Sequence, residues 1–188
     1  MDRKAFLRVG WRRLADAAIS LTQVAASRVG GKLIRPPGVL DELDFLTHCT
    51  RCGDCVKACG PGSILVAGGR AGLNVGTPYL DPNGHRPCFV CDDLPCIAAC
   101  EAGALVPMAI AQLRMGVALV DRERCFAWQG EACDACLRPC PLGSAAIFAD
   151  PRTGKVYVDP DHCIGCGQCA YHCPTDPGSI RLVRLGSG

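Results

Sequence analysis

Apolar residues along this chain fall into one long helical stripe followed by a series of short strand-like segments. Residues 2–28 carry apolar side chains at alternating steps of four and three, the period of an amphipathic α-helix: Leu7, Trp11, Leu14, Ala18, Leu21 and Ala25. Short apolar runs then recur, which predict strands at 63–66, 103–106, 116–121, 145–148, 155–158 and 180–183. The pattern favours an α+β fold preceded by an N-terminal amphipathic helix in residues 1–31.

Polar and turn-forming residues separate these segments. Asp150-Pro151-Arg152-Thr153-Gly154 lies between two predicted strands and is a hairpin signal. Residues 67–87 hold many glycines and prolines and predict a loop, whereas residues 108–115 predict a helical turn or two. Residues 32–48 contain an extended Pro-Pro segment and predict a linker.

The cysteines form four groups of four and account for all 16 in the chain. The group nearest the C-terminus, Cys163, Cys166, Cys169 and Cys173, has the spacing C-x2-C-x2-C-x3-C followed by Pro174. This spacing binds a 4Fe–4S cluster in bacterial ferredoxins, where the fourth cysteine ligates a second cluster. The other groups are Cys49, Cys52, Cys55 and Cys59; Cys88, Cys91, Cys96 and Cys100; and Cys125, Cys133, Cys136 and Cys140. Together they predict four 4Fe–4S clusters.

Two other chemistries use many cysteines, and the spacing disfavours both. A disulfide framework is typical of short secreted chains, and no cleavable signal with a long apolar segment is present. Zinc sites favour separated cysteine pairs or mixtures of cysteine and histidine. Three residues separate the third and fourth cysteines of every group, which favours iron–sulfur clusters.

The 22 glycines, 14 prolines and 5% aromatic residues indicate a loop-rich fold that depends on its metal clusters for stability. Strand, cysteine loop, short helix and strand recur along the chain, so we predict two bacterial-ferredoxin-like modules in which these elements surround the clusters. The four histidines lie beside or near cluster cysteines, but each group already supplies four thiols. His48, His85, His162 and His172 are therefore expected to tune clusters or lie on the surface.

Charge is uneven along the chain. Residues 1–13 carry a net charge of +4, so the remaining residues sum to −2 within the overall +2. The body has no basic stripe, which argues against nucleic acid as a partner. The basic amphipathic segment 2–28 favours peripheral contact with a membrane or a partner groove, or packing on its own domain.

Export is a second interpretation of this N-terminal segment. The sequence Arg3-Lys4-Ala5-Phe6-Leu7-Arg8 is a degraded twin-arginine motif, which would place the protein in the periplasm. Arg12, Arg13 and Asp16 interrupt the apolar region that follows, and this interruption favours a cytoplasmic location, peripheral to the membrane. No apolar stretch reaches the roughly 18 residues of a spanning helix.

Several motifs beyond the cysteine spacing are distinctive. They are Arg35-Pro36-Pro37-Gly38, Gly76-Thr77-Pro78-Tyr79, Cys91-Asp92-Asp93-Leu94-Pro95-Cys96, Met115-Gly116-Val117-Ala118 and Trp128-Gln129-Gly130. With them, residues 32–184 resemble the NapG/MauM-type ferredoxins, the polyferredoxin subunits of periplasmic nitrate reduction and methylamine utilisation. The resemblance implies an electron-transfer protein with four 4Fe–4S clusters.

Spacing alone leaves open whether the groups pair sequentially or in nested fashion, first with fourth and second with third. The resemblance implies the nested arrangement within a cluster domain at 49–188, with 49–59 and 163–173 in one module and 88–100 and 125–140 in the other. The implied ligand sets are Cys49, Cys52, Cys55 and Cys173; Cys88, Cys91, Cys96 and Cys140; Cys125, Cys133, Cys136 and Cys100; and Cys163, Cys166, Cys169 and Cys59.

The chain offers no other recognisable chemistry. It contains neither a phosphate-binding loop nor a dinucleotide fingerprint, and its serines lack a convincing His/Asp constellation. We therefore expect an electron carrier without catalytic residues or a small-molecule substrate. It would act between a redox protein partner, linked to membrane quinol or other, and an oxidoreductase. The alternatives are an iron–sulfur subunit of a soluble multi-subunit oxidoreductase and a structural or assembly protein.

Overall fold

The computed structural model describes residues 33–184, so the predicted amphipathic helix in residues 1–31 lies outside the described part. Five short helices, α1 to α5, occur in this range: Glu42–His48, Asp54–Lys57, Pro95–Ala98, Phe126–Gln129 and Gln168–Tyr171. Six strands, β1 to β6, occur in the same range: Ile64–Val66, Pro78–Leu80, Val117–Val120, Ile147–Ala149, Val156–Val158 and Ile180–Val183. Single 3₁₀ turns lie at Gly72–Asn74, Ile110–Gln112 and Gly143–Ala145.

The C-terminal half contains two antiparallel strand pairs. Strands β3 and β6 pair with Val117 opposite Val183, and β4 and β5 pair with Ile147 opposite Val158. The β4–β5 hairpin is the one predicted from residues 150–154: the Asp150 carboxylate accepts hydrogen bonds from two backbone N–H groups of the turn, and Gly154 has φ +71°. The predictions for β3, β5 and β6 are confirmed, and β4 begins two residues later than expected because a 3₁₀ turn occupies 143–145.

The N-terminal half is built on the antiparallel pair of β1 and β2. Strand β2 lies inside the predicted loop 67–87 and is extended by a bridge in which Leu80 N donates to Ile34 O at 2.7 Å. The strand predicted at 103–106 is wrong. Gly103 turns the chain with φ +67°, and Val106 N then donates a backbone hydrogen bond to Gly38 O.

Residues 33–48 belong to this half of the fold, which corrects the predicted linker. Ile34, Arg35 and the two following prolines are buried, and Phe45 of α1 is only 2% exposed. Asp41 caps the N-terminus of helix α1, since its side chain accepts hydrogen bonds from Leu43 N and Asp44 N. The acidic and apolar residues that precede the first cysteine group therefore form a packed helix.

Arg35 fixes residues 33–48 to the N-terminal half of the fold. Its guanidinium is buried and pairs with Glu42 at 2.6 Å, while it donates to Thr77 Oγ1 and Pro78 O at 2.9 and 2.8 Å. The guanidinium also lies over the ring of Phe45, 4.6 Å from its centroid. Two of the distinctive sequence motifs, around Arg35 and Thr77, are therefore partners in one buried hydrogen-bond network.

The two halves are consecutive along the chain and meet through backbone contacts. Cys88 N donates to Cys166 O at 2.8 Å, and the Asn83 amide exchanges two hydrogen bonds with the backbone of Leu182. Gly165 lies so close to the backbone of Gly116 that no side chain fits between them. One buried apolar core runs through both halves. Within residues 33–184, no helix has the length and apolar character needed to span a membrane.

Candidate iron–sulfur sites

The cysteines line four separate cavities, four to each. The first contains Cys49, Cys52, Cys55 and Cys100; the second Cys88, Cys91, Cys96 and Cys59; the third Cys163, Cys166, Cys169 and Cys140; the fourth Cys125, Cys133, Cys136 and Cys173. The space inside is small, since the centre of a water-sized sphere can occupy about 20 Å³ in the first three and about 10 Å³ in the fourth. Each cavity therefore has room for one compact group.

This grouping differs from the nested arrangement implied by the resemblance. Each cavity takes three cysteines from one group and the last cysteine of the group next to it in sequence, so the first and second groups pair, as do the third and fourth. The cause is the packing of α2 against α3. Cys59 and Cys100 each follow their helix by two residues, so each thiol enters the cavity of the other group. The first module therefore contains the cysteine groups at 49–59 and 88–100, and the second module contains those at 125–140 and 163–173.

The short loops between the first two cysteines share an unusual backbone conformation. The residue immediately before the second cysteine has positive φ in three groups: +60° at Arg51, +50° at Val90 and +73° at Gly165. This conformation turns both thiols to the same side within four residues. Glycine adopts it freely, as expected for Gly165, whereas a β-branched residue such as Val90 adopts it at a cost in strain.

In three of the four groups, the sulfur atom of the fourth cysteine takes part in hydrogen bonds. Ser63 N donates to Cys59 Sγ at 3.3 Å, and Leu105 N donates to Cys100 Sγ at 3.4 Å. Cys173 Sγ lies 3.2 Å from Thr175 Oγ1 and 3.1 Å from Ser179 Oγ. Donors to cluster sulfur atoms are one of the ways a protein sets the reduction potential. Sequence reasoning missed these residues, because only the fold brings Ser179 back to the thiol.

Burial makes the thiols hard to ionise on their own. Together with the smaller effect of the neighbouring cysteines, it raises the pKa of Cys55 to about 11 and that of Cys88 to about 12. Burial is also the largest single effect at Cys173, but there the hydrogen bonds from Ser179 and Thr175 outweigh it and lower the pKa. Four thiolates can share such a cavity only with a cationic group among them, because metal coordination deprotonates a thiol outright.

The donor set and its shape fit a 4Fe–4S cluster. Thiolates from four cysteines are the ligands such clusters take, and each cavity supplies four. Within the described range 33–184, no three Cys, His, Asp or Glu side chains converge on a point suited to a single metal ion. Instead, four cysteines line each cavity, and four is the number of thiolates that one 4Fe–4S cluster takes.

The cavities follow one another in an order that differs from the sequence. The first and second exchange Cys100 and Cys59, and the third and fourth exchange Cys140 and Cys173. The second and third meet where Cys88 N donates to Cys166 O. The resulting series runs from the group at 49–59 through those at 88–100 and 163–173 to the group at 125–140.

None of the four histidines lines a cysteine cavity. Their ring nitrogens lie within hydrogen-bond distance of backbone or carboxylate oxygens instead. His48 Nδ1 and His172 Nδ1 lie 2.9 and 3.0 Å from backbone carbonyls of their own helices. His162 Nδ1 lies 3.0 Å from an Asp159 carboxylate oxygen, and His85 Nε2 lies 3.1 Å from Gly62 O.

Comparison with protein-family models gives one match, to the 4Fe-4S dicluster domain over residues 131–176. This range contains the whole fourth cysteine group and most of the third. A two-cluster unit built from neighbouring groups agrees with the sequential cavities.

Comparison with curated proteins gives relatives that align over most of both chains. Ferredoxin-type protein NapG of Escherichia coli is 38% identical over 200 residues, covering 97% of this chain and 86% of that protein. Methylamine utilization ferredoxin-type protein MauM of Methylorubrum extorquens is 40% identical over 187 residues, covering 93% and 84%. MauM of Paracoccus denitrificans is 37% identical over 190 residues, covering 96% and 84%.

Proposed function

Because the chain belongs to the NapG/MauM family of ferredoxin-type proteins, we propose that it conducts electrons through four 4Fe–4S clusters between two redox partner proteins. The observation that carries this proposal is the series of four cysteine cavities within one core. Closely spaced redox centres in a line form a path for electrons. In this role the chain carries electrons and does not itself transform a substrate.

The proposed ligands of each cluster are the four cysteines of one cavity. They are Cys49, Cys52, Cys55 and Cys100; Cys88, Cys91, Cys96 and Cys59; Cys163, Cys166, Cys169 and Cys140; and Cys125, Cys133, Cys136 and Cys173. A bound cluster supplies reversible one-electron transfer. The chain holds the thiolates at fixed positions, excludes water with apolar walls and places hydrogen-bond donors on selected sulfur atoms.

The ligand sets are tested by pairs of cysteine substitutions in the full chain after anaerobic reconstitution. The wild-type protein should bind about 16 irons and 16 acid-labile sulfides, because each cubane contains four of each. Cys52→Ala/Cys100→Ala removes two ligands of one proposed cluster and should leave about 12 irons. Cys133→Ala/Cys100→Ala removes ligands of two clusters and should leave about 8.

Both double variants delete two cysteines, so they are matched controls for each other. Nested pairing predicts the reverse result, with about 8 irons in the first variant and about 12 in the second. About 8 irons in the wild-type protein, or stoichiometric zinc, would contradict four cubanes.

The conducting role is tested by redox titration of the reconstituted protein. Four reversible one-electron centres are expected. Clusters that only stabilise the fold would resist reversible reduction, and that result would remove the electron-transfer proposal while leaving the ligand sets intact.

For the N-terminal segment we propose contact with a membrane surface on the cytoplasmic side. The support is the apolar stripe of residues 2–28 together with the +4 charge of residues 1–13. Removing residues 2–28 should move the protein from the membrane fraction to the soluble fraction with all four clusters retained. A mature periplasmic protein beginning well after Met1 would contradict this proposal.

A further inference from the structure

A broad groove lies on the second module, separate from the four cysteine cavities. It runs between the β3–β6 pair and strand β5, with Trp128 of α4 at one side. The centre of a water-sized sphere can occupy about 480 Å³ of it, far more than in any cysteine cavity. Its lining combines apolar side chains such as Leu119 with the cationic side chains of Arg122 and Arg181.

Single residues separate this groove from two of the cysteine cavities. Val156, only 1% exposed, lines both the groove and the cavity of Cys125, Cys133, Cys136 and Cys173. Ala118 and Val158 line both the groove and the cavity that contains Cys163. A molecule seated in the groove would therefore lie one side chain away from the last two members of the series.

Positive charge is concentrated around the aromatic side of the groove. The Arg122 guanidinium lies 4.3 Å from the centroid of the Trp128 ring, and the Lys155 ammonium lies 4.8 Å from it. Trp128 is held in place because its Nε1 donates to Val156 O at 2.9 Å. The exposed Arg181 adds a third cation along the lining.

The one carboxylate in the lining is already engaged. Asp121 pairs with Arg124 at 3.4 Å and accepts a hydrogen bond from Glu123 N at 3.0 Å. Arg122, Lys155 and Arg181 therefore give the groove a positive surplus, which complements an anionic partner.

We propose that this groove is the docking site of an acidic redox protein, which exchanges electrons with the chain across the wall formed by Val156. The proposal rests on the function proposed above and names the chemistry of one partner. In each encounter one electron leaves the reduced partner, which is oxidised, and the chain's adjacent redox centre is reduced by that electron; no bond is made or broken. A nucleic acid would match the charge, but it would gain nothing from the closeness of two redox sites.

Reduced and oxidised flavodoxin, an acidic one-electron flavoprotein, serves as the probe. Fluorescently labelled oxidised flavodoxin is titrated with the four-cluster holoprotein at low salt, with anisotropy as the binding signal. Stopped flow then measures how fast reduced flavodoxin transfers its electron. Arg122→Glu/Arg181→Glu should weaken binding and slow transfer about tenfold or more, because like charges then face each other. Added salt should weaken wild-type binding.

Arg70→Glu is the matched control, since Arg70 is an exposed arginine of the first module. It should bind and transfer within about twofold of the wild type, since distant surface charges are screened. Arg122→Gln/Arg181→Gln removes charge without reversing it and should give an intermediate loss. All variants are compared at equal iron content, which excludes loss of folding as the cause.

Unchanged binding in the charge-reversed variant, or an equal loss in Arg70→Glu, would overturn the docking site. Displacement of flavodoxin by an equal charge of duplex DNA would also overturn it, because the surface would then be a general anion binder. In each of these cases the clusters still titrate reversibly with a chemical reductant, and the electron-transfer function stands. Clusters that fail to titrate would instead refute the function, and the docking site with it.

Discussion

Arg35 is expected to determine the stability of the first module. Arg35→Met keeps most of the apolar stem but removes a guanidinium that is 4% exposed. The variant leaves two buried acceptors, Pro78 O and Asn74 Oδ1, without their donor. The Asn74 amide nitrogen is a buried donor that already lacks an acceptor within the described part, so losing the guanidinium leaves both polar atoms of this side chain unpaired.

The loss of unfolding free energy in Arg35→Met can be estimated from these groups. Each buried acceptor left unpaired costs about 1–3 kcal/mol, and the lost cation–π contact with Phe45 adds about 1 kcal/mol. Glu42 keeps its ion pair with Arg184 at 2.9 Å, which limits the cost of leaving its carboxylate behind. These contributions sum to about 3–7 kcal/mol. Because Glu42 keeps a partner, we expect the free energy of unfolding to fall by about 3–5 kcal/mol, the range for breaking a buried pair.

The assay is thermal loss of visible cluster absorption at one fixed scan rate, because cluster release makes unfolding irreversible. At about 2–4 °C per kcal/mol for a chain of this size, the midpoint should fall by about 10 °C. Phe45 and Pro78 also line the first cysteine cavity, so the cluster held there should be lost first.

Arg184→Met is the matched control, since this arginine contacts the same carboxylate but is 24% exposed. It should lower the midpoint by no more than about 3 °C, as expected for a partly solvated ion pair. Equal shifts in the two variants would refute the argument, because they would show that burial of the network does not set its contribution.

Two further substitutions test the backbone and the sulfur environment. Gly38→Ala should lower the thermal midpoint more than Gly103→Ala: both have positive φ, but a Cβ at Gly38 would lie 2.9 Å from Val106 N, whereas the position at Gly103 faces open space. Equal losses of thermal midpoint in the two variants would mean that the positive φ alone sets the cost, and that the close approach of the added Cβ to Val106 N contributes nothing. Ser179→Ala removes the hydroxyl 3.1 Å from Cys173 Sγ and should lower the potential of that cluster by tens of millivolts in a redox titration, since the lost donor favoured the reduced form. The exposed Ser144→Ala should leave all potentials unchanged.

The local chemistry of this protein could be inferred without its fold. Ligand spacing within one loop is a local property, so the four cysteine groups and the expected cluster type could be recognised without a fold. Alternating apolar residues and turn signals likewise located β3, the β4–β5 hairpin and β6. Helix α1 was missed because its few apolar residues follow a Pro-Pro segment, and β2 because turn-forming residues surround it.

Which cysteines share a cavity depends instead on how the elements of the fold pack together. Every group ends with the same spacing of three residues, so the last cysteine has no local signal that names its partner group. The packing of α2 against α3 brings Cys59 and Cys100 across to each other's cavities. The contact between Cys88 and Cys166 then sets the order of the series. Both depend on contacts between residues far apart in the chain, and residue spacing within a single loop carries no information about such contacts.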